Sequence, residues 1–307
     1  IKGNWTYVVR GADNTVLRDI GVEAYQTGVK TADNMVIKDV SITGIQPSSC
    51  TGIRSNSTGV KVKHTEIILD CENDVEGIEL FSGDLEVQDL RIHITSSTLG
   101  TKVGIAASSS TVLDSSSLFV QIESEVGHSY GVDCWGDCSI ANSQLSLTNN
   151  TLITDGSYDN YGLHVRSTGT LSVTETAVYV NGGVDGAGIF SLGSLVVVKD
   201  SSMITNGSHY AYGINAAGDE MIVRNTSALV LNELSIGRAL SLISSSGVLS
   251  AENSSFSAPT YQSVRASGGT LKIANSMLEG TVSTASGSLK CVSAYDESFD
   301  ALGTNCQ

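Results

Sequence analysis

The chain has 307 residues, 40% hydrophobic and 6% aromatic, with 17 Lys plus Arg against 32 Asp plus Glu and a net charge of −15. That balance excludes a nucleic-acid ligand, whose phosphates need clustered Lys and Arg, and an anionic membrane surface. No apolar run approaches the roughly 20 residues of a bilayer span, so no membrane insertion is expected.

At this length a compact globule would need more than one core, but a solenoid grows in one dimension without enlarging its core. Only Pro47 and Pro259 occur, and no Gly/Ser-rich or Pro-rich stretch reads as a linker, so a single domain over 1–307 is expected. The chain starts at Ile1 without a secretory leader, so export requires one to have been removed.

In chain order, residues 1–10 include Trp5, Tyr7, Val8 and Val9 and read as strand, with no helical spacing that would cover a first coil. A glycine followed by a branched apolar residue then recurs at Gly28-Val29, Gly52-Ile53, Gly77-Ile78, Gly104-Ile105, Gly131-Val132, Gly162-Leu163, Gly188-Ile189 and Gly213-Ile214. Ala239-Leu240 continues the series, and a longer insertion precedes Gly162. A period of roughly 25 residues means a stacked solenoid, here of about eleven coils over 1–288.

Inside each coil a second signature follows, apolar, Ser/Thr three residues on, then apolar again. It reads Val62-Thr65-Ile67, Leu113-Ser116-Leu118, Ile140-Ser143-Leu145, Val173-Thr176-Val178, Val198-Ser201-Met203, Val223-Thr226-Ala228, Ala251-Ser254-Phe256 and Ile273-Ser276-Leu278. Apolar residues alternate along short strands, so inward faces stack into one core and the hydroxyls form a ladder at a bend. Just before the hydroxyls run His64, Ser115, Asn142, Glu175, Asp200, Asn225, Asn253 and Asn275, where a tight bend favours residues that tolerate left-handed backbone angles. The repeat stops after Leu289. Asp296 is expected to cap a short helical turn bearing Phe299 and Leu302, ended by Gly303, so that 289–307 forms a cap over the last coil.

Six cysteines fall into local groups, Cys50 with Cys71, Cys134 with Cys138, and Cys291 with Cys306. An even count with near partners favours three disulfides and an oxidising compartment. The rival use is zinc on Cys134 and Cys138 with His128 or His164, but a lone C-x-x-x-C is a weak metal signature, and no metal or cofactor is expected.

The Gly-Ile marks, together with the pairs Asn142-Ser143, Asn253-Ser254 and Asn275-Ser276, resemble the right-handed parallel β-helix repeat proteins. The resemblance implies an all-β, single-stranded solenoid. It leaves activity open, because the group includes pectin- and alginate-acting enzymes, phage tailspikes and non-catalytic surface proteins. The Asn-Thr-Asp, Asp-Asp, His-Gly and Arg-Ile-Lys elements of polygalacturonase-like enzymes do not occur. Basic residues for a lyase-like site are sparse, as in Lys30, Lys38, Lys61 and Lys63.

Outward positions across neighbouring coils hold the nearest thing to a site. Register would set Asp133 beside His164 and Trp135 beside Arg166, with Phe190 and Leu192 following, next to an insertion bearing Asp155, Tyr158, Asp159 and Tyr161. Ordinary cross-strand pairing explains such neighbours without a ligand. If the patch acts, sugar stacks on Trp135 with polar contacts from Asp133 and His164; a catalytic pair such as Asp133 and Asp159 would need about 5 to 9.5 Å between carboxyls.

Sequons stand at Asn4, Asn56, Asn149, Asn206, Asn225 and Asn253; the last two lie on the bend ladder and are expected to stay bare. The expected function is a non-catalytic extracellular or cell-surface protein, structural or adhesive, of the kind that forms a fibre subunit. An open first coil would be met by end-to-end or lateral self-association or by a preceding domain. The alternatives are a polysaccharide lyase or glycoside hydrolase, and a glycan-binding module.

Overall fold

The computed structural model describes residues 7–46, 48–108, 111–150, 158–166, 169–207, 209–231, 236–244, 246–286, 288–296, 298 and 300–303. Every strand pair of the ladders is parallel. No helix occurs among the described residues.

Three walls alternate along the chain. The first, the glycine wall, stacks Tyr7–Arg10, Thr27–Lys30, Cys50–Ser55, Val75–Leu80, Thr101–Ala107, His128–Cys134, Asp159–Val165, Asp185–Ser191, Tyr210–Ala216 and Ile236–Leu242. It continues through the later halves of Ser255–Ala266 and Met277–Thr284. The second wall begins each coil's next segment, as in Asp137–Ala141, and the third follows a bend, as in Gln144–Asn149. Coils at both ends are shorter than the expected period, as the partners Tyr7 with Thr27 and Leu271 with Leu289 show, so coil number departs slightly from eleven.

Period-two alternation turns one file of each wall inward. On the third wall Ile42, Ile67, Ile92, Val120, Leu145, Val178, Met203, Ala228, Phe256 and Leu278 are successive register partners, all buried. On the glycine wall Val29, Ile53, Ile78, Ile105, Val132, Leu163, Ile189 and Ile214 do the same. The glycines before them are required by close approach: a Cβ on Gly131 would lie 2.5 Å from the Gly162 carbonyl oxygen, and one on Gly104 2.4 Å from that of Gly131.

The bend between second and third walls carries the hydroxyl ladder. Ser143 Oγ donates to the Ala141 carbonyl at 2.6 Å and accepts from the Leu118 N–H at 3.1 Å. Thr176, Ser201, Thr226, Ser254 and Ser276 donate in the same way to the carbonyl two residues back. Preceding them, His64, Asn142, Glu175, Asp200, Asn225, Asn253 and Asn275 all adopt positive φ near 50°. One coil departs from the expected register. Leu118, not Ser116, occupies the ladder position beside Ser143; Ser117 takes the positive-φ bend, and Ser115 turns inward between Val87 and Ile140. The run of three serines let the spacing be read two residues out of register.

The C-terminal expectation of a helical turn is also corrected. Asp296 does cap, accepting from the N–H groups of Ser298 and Asp300 at 2.9 Å each. Tyr295 then bridges Ala301 in antiparallel fashion, and the Asp296 N–H donates to the Asp300 carbonyl at 3.0 Å, so returning chain rather than a helical turn satisfies the end strand. Leu302 packs against the core as expected of a cap. Phe299 lies outside the described residues.

Disulfides join Cys50 to Cys71 and Cys134 to Cys138. Cys291 is also disulfide-bonded; its expected partner Cys306 lies outside the described residues.

Candidate functional site

Two residues before each inward apolar residue of the glycine wall, and one after it, side chains face outward. The strand His128–Cys134 thereby presents His128, Tyr130 and Asp133, and the strand Asp159–Val165 presents Asp159, Tyr161 and His164. Asp133 and His164 are register partners, as the spacing implied.

Asp133, 8% exposed, accepts from Arg166 Nε at 2.9 Å. His164 Nδ1 lies 3.2 Å from the same carboxylate oxygen but out of line for a hydrogen bond, so this buried nitrogen has no partner. The Arg166 guanidinium sits 5.3 Å from the Trp135 ring and 5.3 Å from that of Tyr130. Burial works against the Arg166 cation, and the Asp133 carboxylate outweighs it, raising its pKa. The Trp135 indole is 43% exposed over this brace.

Asp159 anchors a second set. It accepts from the Tyr130 hydroxyl at 3.2 Å and the Tyr161 hydroxyl at 3.1 Å, and its backbone N–H donates to His128 Nδ1 at 3.1 Å. Burial pushes its carboxyl up, but His128 and the two tyrosines prevail and hold it below the usual range. Both tyrosines are shifted upward, by burial first and by Asp159 next. Tyr161 stacks on Phe190 with centroids 5.0 Å apart, and Tyr158 meets His128 edge-on at 5.6 Å. Asp155 lies outside the described residues. Asp133 and Asp159 occupy different files of the wall and different hydrogen-bond sets.

Two coils earlier the same face repeats the theme with residues that sequence reasoning missed. Arg54 Nε and Nη2 each lie 2.6 Å from Glu79 Oε2, and its guanidinium sits 5.3 Å from the Phe81 ring. Burial, then the neighbouring Glu79 charge, pushes the Glu76 carboxyl up to about 8 against the pull of Arg54. The signal was available: Glu79-x-Phe81 stands at the same coil position as Asp133-x-Trp135.

The disulfide between Cys134 and Cys138 takes both thiols that zinc would have needed. No metal-holding group of His, Cys, Asp and Glu occurs among the described residues. A groove of about 1090 Å³ follows the other side of the rod, lined among others by His64, Asp89, Asn142 and Glu175. It is the notch made by the positive-φ bends themselves.

Of the sequons, Asn56 is exposed, and Asn206 is exposed with its amide donating to Asn181 at 3.0 Å. Asn149 is 1% exposed, and its amide donates to the Gly127 carbonyl at 2.6 Å, which leaves no room for a glycan on the folded chain. Asn225 and Asn253 are exposed at the bend, where Asn225 bonds Asp200 of the neighbouring coil rather than its own backbone. Asn4 lies outside the described residues.

Fold and site together define a disulfide-bonded parallel β-solenoid with aromatic rings braced by acid–guanidinium pairs on one wall. Compared with protein families, curated proteins and solved structures, the chain matches none.

Proposed function

We propose that the protein is an extracellular, right-handed adhesive β-solenoid that holds glycan on its glycine wall at Trp135 and does not turn it over. The observation that carries this reading is the half-exposed Trp135 indole fixed over the pair formed by buried Asp133 and half-buried Arg166. A rigid aromatic face with a polar surround suits the apolar face of a sugar ring. Both local carboxylates are already engaged, Asp133 by Arg166 and Asp159 by Tyr130 and Tyr161, so neither is placed as a free acid or base. Disulfides support an oxidising compartment.

The test is a polysaccharide panel scored both for retention and for products, by reducing ends and by absorbance of unsaturated sugars. Retention without products, weakened about tenfold in Trp135→Ala, is the expected outcome. Turnover abolished by Asp133→Ala or His164→Ala would replace adhesion with catalysis.

A further inference from the structure

We infer that Phe81 and Trp135 are two stacking subsites of one axial track for an uncharged, extended β-1,4-linked polysaccharide. The inference rests on the Trp135 reading above and extends it along the rod.

Backbone register places Phe81, Ser108 and Trp135 in one file: Phe81 N–H bonds the Ser55 carbonyl, Ser108 that of Leu80, and Trp135 that of Ala107. Arg166, Leu192 and Ala217 continue the file through the Cys134, Val165 and Ser191 carbonyls. Large exposed rings and chains thus alternate with other residues, Phe81 being 47%, Trp135 43% and Leu192 46% exposed. Neighbouring coils lie about 4.8 Å apart, so Phe81 and Trp135 stand roughly 9.6 Å apart along the axis. In an extended β-1,4 chain successive sugars turn over by half a turn, so every second ring presents the same face to a wall. A two-coil spacing matches that alternation.

The two subsites are built alike. Each ring has a guanidinium 5.3 Å from its centre, Arg54 at Phe81 and Arg166 at Trp135. Each guanidinium is bonded to the acid two residues before the ring, Glu79 or Asp133. Bracing holds the rings at fixed height without a net local charge. Between them the wall is floored by the small side chains of Val103, Ala106 and Ser108. Burial and the neighbouring Glu79, to which it is hydrogen-bonded, raise the Glu76 pKa to about 8, which disfavours a second negative charge beside Phe81. A chain with net charge −15 disfavours a polyanionic glycan.

The experiment is calorimetric titration with cello-, xylo- and manno-oligosaccharides, from disaccharide to hexasaccharide. Wild type is expected to gain at least about tenfold in affinity once the ligand spans both rings. Phe81→Ala and Phe81→Leu should abolish that gain, so that hexasaccharide binds no tighter than disaccharide, and Phe81→Tyr should restore it. A length dependence retained in both Phe81 variants, or absent from a wild type that still binds through Trp135, overturns the track while the Trp135 reading stands. No binding by wild type, or binding indifferent to Trp135→Ala, overturns both.

Discussion

Lys102 has no exposed surface, yet its ammonium donates to the carbonyls of Thr98, Gly100 and Val126, at 3.3 Å for Gly100 and 2.7 Å for Val126. Those carbonyls belong to turns of successive coils, so one side chain ties two corners together. Lys102→Met removes all three bonds, although the Gly100 and Val126 carbonyls keep the His128 N–H and the Ser124 hydroxyl as donors, and should lower stability by about 1 to 3 kcal/mol, read from urea melts. Burial, opposed by the Asp74 charge, brings its pKa down from 10.5 to about 8. The folded state therefore binds fewer protons than the unfolded one between those values, and stability should rise with pH across that window in wild type but not in Lys102→Met. Glu76 has the opposite sign. Its pKa is raised from 4.5 to about 8, so its contribution is fully present below pH 4.5 and is lost as pH rises through 8. Glu76→Gln should raise the melting temperature at pH 9 and leave it nearly unchanged at pH 4. A melt that shifts equally at both pH values would contradict that assignment.

At the level of elements, the bend rather than the strand specifies register. Each strand is a short apolar file that tolerates a slip of two residues without exposing its core face. The bend does not, because a hydroxyl must reach back two residues while a neighbouring coil's N–H reaches it. Ser143→Ala removes both bonds and strands the Leu118 N–H inside; about 1 to 2 kcal/mol of destabilisation is expected from thermal and urea melts. Ser143→Thr, which keeps the hydroxyl as Thr176 does, should be close to neutral. Equal losses in both would show that packing, not the hydroxyl, matters there. The misread serine run at Ser115, Ser116 and Ser117 teaches the same point: three adjacent hydroxyls satisfy the pattern in more than one frame, and the frame is chosen by which one can take positive φ with an apolar neighbour facing inward.

For the molecule as a whole, each coil contacts mainly its neighbours, so stability is a sum of local terms. The Cys50–Cys71 disulfide closes a loop with a sequence separation of 21 and is worth about 3 kcal/mol by the chain-entropy argument. Replacing both cysteines with serine should speed hydrogen exchange across the strands Cys50–Ser55 and Val60–Cys71 while leaving Thr270–Ala274 protected. Uniform loss of protection along the rod would mean that it unfolds as one cooperative unit instead. The Cys134–Cys138 disulfide, with a separation of 4, restrains far less chain and matters more for holding the corner behind Trp135.

Stacking, inward faces, the hydroxyl ladder and the pairing of Asp133 with His164 were legible in the sequence, because a solenoid converts a linear period directly into spatial neighbours. Once the period is known, the residue in the next coil follows by addition. Other features had no such linear signature. Tyr130 and Tyr161 converge on Asp159 across an insertion that breaks the period. The Arg54 bond that braces Phe81 through Glu79 was not legible either, although the matching coil position of Glu79-x-Phe81 and Asp133-x-Trp135 was. The last strand turned back on itself where helix-capping residues suggested a helical turn, since Asp296 serves either conformation and the edge of the terminal strand needed a partner. Period sets which side chains share a file, whereas side-chain direction, the burial that shifts a pKa and the bonding of an open end depend on atoms brought close only by folding.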